Sequence, residues 1–181
     1  PHYGNTYTYY PPIAHIPSDA CPMLSGRAWT FTADVEVGSS PLEGVIYARG
    51  GHNIGHSMFI RKGELNFYYN ALGKHQRASA PVSLSAGKHT LAARFDREGE
   101  TGTITLLVDG KEVGNVHIPK IMRILGSMGM DLGCDRLSPV CPDYVAPFPF
   151  TGKITKATFE IRSRPTKIDE QAEMRAEAAK E

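Results

Sequence analysis

Apolar and polar residues alternate without a break from Trp29 to Val37. Trp29, Phe31, Ala33, Val35 and Val37 are separated by Thr30, Thr32, Asp34 and Glu36. A period of two puts the apolar set on one buried face of a strand and the polar set on a wet one. Further strands are predicted at Val45–Arg49, Ser57–Arg61 and Leu65–Asn70, the last two joined by a Lys62-Gly63 hairpin turn. Arg77–Leu84 and His89–Asp96 follow, the second with Leu91, Ala93 and Phe95 on one face. Ile104, Leu106 and Val108 line the next strand, and Asp109-Gly110 supplies the positive-φ pair of a type I′ turn returning through Lys111–His117. Residues 118–151 carry five prolines and read as loop, with a short strand at Met128–Leu132. Lys153–Arg162 closes the sheet with Ala157, Phe159 and Ile161 inward.

Short strands with turn signals at this spacing predict an all-β fold, a two-layer antiparallel β-sandwich of the jelly-roll, concanavalin-like type. No helical period intervenes, which excludes a parallel α/β sheet. Residues 1–26 read as an irregular arm rich in Tyr and Pro, whose rings pack on something, and residues 27–165 as the sandwich. Residues 166–181 read as a short helix capped by Thr166, with Asp169 and Glu170 in its first turn. Its stripe of Ile168, Ala172, Ala176 and Ala179 is thin, so the helix is expected to lie lightly on the domain or on a neighbour.

With 181 residues the chain can bury one substantial core. A net charge of +1 gives no broad field for nucleic acid or anionic membranes, and no run of apolar residues is long enough to span a bilayer. The chain starts at Pro1 and its first 20 residues lack an apolar signal core, so it is expected to be a processed chain or a fragment. Cys21, Cys134 and Cys141 form neither a disulfide framework nor a zinc ribbon. Cys134 and Cys141 could bridge in an oxidising compartment or stay reduced in a packed loop, so the compartment is undecided.

Candidate chemistry is sparse. Asp34 and Glu36 share a strand face roughly 6.5–7 Å apart, a spacing open to glycosidase work but also ordinary for a solvated strand. His52 and His56 could meet across the turn His52-Asn53-Ile54-Gly55-His56 to hold a metal, although a turn with exposed histidines is the simpler reading. Asp131, Asp135 and Asp143 lie in the long loop and are weak candidates for calcium. Arg61, Lys62 and Lys74 near Tyr68 and Tyr69 could make a nucleic-acid surface, against which stands the balanced charge. No nucleophile elbow, P-loop or dinucleotide fingerprint occurs.

The ordered set YYPPIAHIP (Tyr9–Pro17), WTFTADVEV (Trp29–Val37), GVIYARGGHNIGHSMFIRKGELNFYYN (Gly44–Asn70), GTITLLVDGKEVG (Gly102–Gly114) and DYVAPFPFTGKI (Asp143–Ile154) resembles the C-terminal domain of bacterial arylsulfatases. The resemblance covers nearly the whole chain, although V-D-G-K-x-V-G also occurs in many concanavalin-like and laminin-G-like sandwiches. It implies that the sulfate-ester chemistry resides in a preceding α/β domain, at a C-x-P-x-R or S-x-P-x-R motif beside calcium. Cys21-Pro22-Met23, Cys134-Asp135-Arg136 and Cys141-Pro142-Asp143 all lack the motif's Pro, and Ser163-Arg164-Pro165-Thr166-Lys167 has Lys in place of its Arg. The implied role is a non-catalytic accessory domain without a cofactor of its own, partnered by a catalytic domain or another subunit.

Two rivals stand beside this reading. One is a stand-alone carbohydrate-binding, lectin-like module, with His52, Asn53, His56, Tyr68, Asn70 and Tyr144 as candidate glycan or partner contacts. The lone Trp29 falls on the buried face of its strand, which counts against an aromatic glycan platform there. The other is a jelly-roll hydrolase or lyase in its own right, resting on Asp34 and Glu36.

Overall fold

The computed structural model describes residues 6–121 and 128–162, with residues 171, 174, 175, 178 and 179 of the tail. The described strands form two antiparallel sheets. The six-stranded sheet runs, in spatial order, β1 (Thr6–Tyr9), β11 (Lys153–Ile161), β2 (Trp29–Val37), β7 (Gly87–Glu98), β8 (Thr101–Val108) and β9 (Lys111–Ile118). The five-stranded sheet runs β10 (Met130–Leu132), β3 (Gly44–Gly50), β4 (Ile54–Arg61), β5 (Glu64–Ala71) and β6 (Lys74–Pro81). This is the all-β two-layer sandwich that the alternation predicts.

The core lies between the sheets, and β2 organises it. Its five apolar residues are all buried, while the intervening Thr30, Thr32, Asp34 and Glu36 are partly exposed. Trp29 stacks on Phe95 of its own sheet at 5.7 Å between ring centroids and on His56 of the other sheet at 5.4 Å. Phe31 meets Tyr47 at 4.5 Å and Phe159 at 4.8 Å. These rings tie the sheets together through large apolar areas with preferred aromatic geometry.

The arm is more regular than its prolines suggest. Thr6–Tyr9 pairs with β11, Tyr7 opposite Phe159, and Tyr7 and Tyr9 pack on the core. Pro11 and Pro12 follow this strand and end it without interrupting it. The strand expected at Arg77–Leu84 lies instead at Lys74–Pro81, because a hairpin turn sits at Leu72-Gly73, with φ of 53° and 85°. A type I′ turn favours Asn, Asp or Gly at its first central position, so Leu there conceals it. In the tail, Gln171, Met174, Arg175 and Ala178 are helical, whereas Thr166, Ile168, Asp169 and Glu170 lie outside the described residues.

Strands β3, β4 and β5 are buried on both faces. Tyr47, Met58, Ile60, Leu65, Phe67 and Tyr69 belong to the main core. Val45, Ala48, Phe59 and Tyr68 form a second apolar cluster with Val140, Cys141 and Tyr144, against which Phe148 packs. Residues 133–150 therefore form a cover over the outer face. It is sewn to the sheet by Gly133 N–H to Ile46 O (2.8 Å) and Val45 N–H to Phe148 O (2.9 Å). Gly44 permits the close approach, since a Cβ there would stand 2.1 Å from Pro149 O.

A polar lock fixes the cover from within. The Tyr144 hydroxyl donates to Asp135 Oδ2 at 2.6 Å, and Val140 N–H donates to the same oxygen at 3.0 Å. Ser57 Oγ of β4 lies 3.0 Å from the Tyr144 hydroxyl oxygen. Burial pushes the Asp135 carboxyl up, against the pull of the two hydrogen bonds.

Replacing Trp29 by Ala removes the ring that joins the sheets and should cost about 3–5 kcal/mol in urea unfolding. A change under about 1 kcal/mol would show that the stack contributes little. Tyr144→Phe should cost about 1–3 kcal/mol, because Asp135 stays buried and loses its shortest donor. Unaltered stability would place the cover's attachment elsewhere.

Candidate functional site

Only part of the sequence-derived contact set reaches the surface. His52 and Asn53 are exposed on the turn between β3 and β4. His52 Nδ1 lies 2.7 Å from Ser138 Oγ of the cover. Asn70 is a buried strut: its Nδ2 donates to His52 O at 2.7 Å and its Oδ1 accepts Gly73 N–H at 3.1 Å. Tyr68 and Tyr144 are both buried beneath the cover, at 4% and 6% exposure. His56 lies in the core between the sheets, its Nδ1 2.8 Å from the Tyr47 hydroxyl. Desolvation, reinforced by repulsion from Arg49, lowers its pKa to about 3, so it is a neutral ring at physiological pH. His56, Asn70 and Tyr144 are thus structural and offer no surface to a glycan.

The metal candidates disperse in the same way. His52 and His56 fall on the surface and in the core, so they share no site. Asp131 Oδ1 accepts from Arg136 Nη1 at 2.8 Å and contacts His15 Nδ1 at 3.0 Å, and its Oδ2 accepts Arg136 N–H at 2.7 Å. Asp135 belongs to the lock, and Asp143 pairs with Arg77. The three carboxylates proposed for calcium have separate protein partners and do not converge. Among the described residues no group of three or more His, Cys, Asp or Glu is arranged to hold a metal ion. The three cysteines are free thiols, so Cys134 and Cys141 do not bridge.

The cover leaves a polar strip of the outer face open along β6, where His75, Arg77 and Ser79 are exposed, while its β5 neighbours Asn66, Tyr68 and Asn70 are buried. Register pairs Tyr68 with Arg77, Asn70 with His75 and Asn66 with Ser79, which puts Arg77, His75 and Ser79 on the Tyr68 side of the sheet. The Arg77 guanidinium lies 5.3 Å from the centroid of the Tyr68 ring. Its Nη1 is 2.5 Å from Asp143 Oδ2, and its Nη2 donates to Cys141 Sγ at 3.3 Å. His75 stacks on the same Tyr68 ring at 5.5 Å. Arg77 holds the Asp143 carboxyl below the usual range, with help from Arg61 and His75. Both side chains of the ion pair remain about a third exposed, at 34% and 36%. Sequence reasoning missed Arg77 as a site residue. The signal was the Lys74–Pro81 alternation, masked by the unrecognised turn before it.

The paired carboxylates lie on the opposite side of the molecule. Asp34 and Glu36 line an open groove of about 480 Å³ with Lys88, His89, Thr90, Asp109 and Thr155. His89 Nδ1 lies 2.7 Å from Asp109 Oδ2 and its Nε2 lies 2.7 Å from Ser85 O. Both partners are acceptors, so the ring satisfies both only as the imidazolium. Asp109 Oδ1 accepts Thr90 N–H at 2.8 Å. With both nitrogens committed, His89 has no lone pair for general-base work.

The hydrogen bond that His89 donates to Asp109 raises the His89 pKa and lowers the Asp109 pKa. The raised His89 pKa contributes stability in full below about pH 6.5 that is lost as pH rises through the folded value. The lowered Asp109 pKa contributes above about pH 4 and is lost as pH falls through its folded value. The melting-temperature gap between the native chain and Asp109→Asn should therefore be widest near pH 5–6 and narrow as pH climbs above about 7. A gap that stays constant through this range would mean that the imidazolium form plays no part.

A scan of family models matches none to this chain, and no curated protein is similar to it in sequence. Solved structures do share its fold. The CBM40 module of Ruminococcus gnavus IT-sialidase bound to alpha2,3 sialyllactose aligns with a TM-score of 0.57 at 15% identity, covering 80% of each chain. The LG1-3 region of the laminin alpha2 chain aligns at 0.54 and 15% identity, over 90% of this chain and 32% of that one. The leech intramolecular trans-sialidase aligns at 0.51 and 12% identity, over 82% of this chain and 23% of that enzyme. No sulfatase is among the matches, which overturns the resemblance to arylsulfatase C-terminal domains. The likeness is one of fold.

Proposed function

We propose that this chain is a carbohydrate-binding module, and that its contact surface is the open strip of the five-stranded sheet along β6. The observation that carries the reading is the Arg77–Asp143 pair, seated against the Tyr68 ring beside His75 at the edge of the cover. The pair offers forked N–H donors next to a carboxylate acceptor, the complement a sugar ring with alternating hydroxyls requires. Arg77 stands on β6, and its pairing with Asp143 leaves less freedom to lose on binding. Sialylated glycans are the first ligands to try, because Arg61 and Arg77 bring positive charge to the strip and because the similar CBM40 module is bound to sialyllactose.

Titration with 3′-sialyllactose, followed by NMR shift changes, should move resonances of His75, Arg77 and Asp143 more than lactose does. Arg77→Met keeps the stem over Tyr68 and should weaken binding about tenfold or more, the worth of a charge-assisted hydrogen bond. A glycan array negative for sialylated, sulfated and neutral sugars would overturn the function. Binding unchanged by Arg77→Met would overturn the site.

A further inference from the structure

Three hairpin turns have a non-glycine residue followed by glycine, both at positive φ: Lys62-Gly63, Leu72-Gly73 and Asp109-Gly110. Lys62 is exposed there, and Asp109 uses its carboxylate to hold His89 and Thr90 N–H. Leu72 is the exception, a branched apolar side chain 74% exposed at φ 53°, a backbone region that costs a non-glycine residue energy. Its N–H is fixed by Asn53 O at 2.8 Å, and Asn70 anchors Gly73 next to it, so the tip is firmly held. Neither the core nor the turn geometry calls for leucine at this point.

Leu72 forms one wall of a groove of about 270 Å³ between the β5–β6 turn and the residues after β9. Ala71, Pro119 and Ile121 supply the rest of its apolar lining, and the charged residues on it are Lys74 and Lys120. Among the described residues no carboxylate lines it. We infer that this groove binds a small amphiphilic anion, one with a compact apolar body and a carboxylate or sulfate head. The body would lie on Leu72, Pro119 and Ile121 while the head meets the Lys74 and Lys120 ammonium groups. The volume suits a short acyl chain, near the lower end of ligand pockets. An apolar floor beside two lysines and the neutral Gln76 selects against both neutral apolar bodies and small hydrophilic anions.

The test uses octyl sulfate, octyl glucoside and acetate as probes, each below its micelle threshold, with methyl and amide NMR shifts as the readout. Octyl sulfate should perturb Leu72, Lys74, Lys120 and Ile121 in a saturable way, and the other two should not. Leu72→Asn suits the turn better, so it should raise the melting temperature while weakening octyl sulfate binding about tenfold or more, the value of one buried leucine side chain. Lys74→Gln with Lys120→Gln should reduce discrimination between octyl sulfate and octyl glucoside. Absence of saturable shifts at the groove, equal binding of octyl glucoside by the native chain, or unimpaired binding by Leu72→Asn would each overturn the inference. None of these outcomes depends on whether sialyllactose binds along β6.

Discussion

The five-stranded sheet carries apolar side chains on both faces, and much of the molecule follows from that. Phe59, Tyr68 and Val45 point away from the sandwich core and would be costly to leave in water. The cover meets that need, but a segment with this many prolines cannot add a regular layer. It is held instead by separate backbone hydrogen bonds to β3 and by the Asp135–Tyr144–Ser57 lock. The lock is buried, so each of its polar groups must find a partner inside it. The cover also determines what is left for recognition. Tyr144 and Ser57 lie beneath it, while Arg77 and Asp143 meet at its rim.

A second constraint acts between the sheets. Trp29, His56, Phe67 and Phe95 form a run of stacked or tilted rings from one layer to the other. An imidazole fits such a stack only when neutral, and burial together with Arg49 keeps it so. The Tyr47 hydroxyl partners His56 Nδ1, so a polar atom enters the core without being stranded there. His56 is therefore best understood as an aromatic core residue that happens to be titratable.

Legibility in the sequence differed between the two sheets for a physical reason. The six-stranded sheet has one wet face along β2, so the period of two in Trp29–Val37 identified the buried residues one by one. β3 to β5 are dry on both faces, and there the pattern says strand without saying which side faces the core. His56, Asn70, Tyr68 and Tyr144 entered the candidate set as polar or amphipathic residues near turns, and their burial depends on tertiary contacts that the local pattern does not show, such as Trp29 of the other sheet on His56 and Ser57 on Tyr144. The Leu72-Gly73 turn escaped for lack of turn chemistry at its first position, and Arg77 escaped with it. The sulfatase resemblance failed for a related reason. Its carriers, the alternating strand and the D-G hairpin, specify a sandwich and nothing about a site.

The case for binding over catalysis rests on how the reactive side chains are engaged. His89 has both ring nitrogens in hydrogen bonds, Asp135 and Asp131 are saturated by donors from the chain itself, and the Cys141 thiol lies under Arg77. Burial raises the pKa of each of the three cysteine thiols, which disfavours the nucleophilic thiolate. A catalytic group needs an open valence directed at substrate; these groups have theirs directed at the protein. What the surface leaves open is of another kind. Along β6 it is a pre-oriented donor–acceptor pair on a flat, rigid strand, and at Leu72 it is an apolar wall held out by a turn. Both are suited to holding a ligand in place.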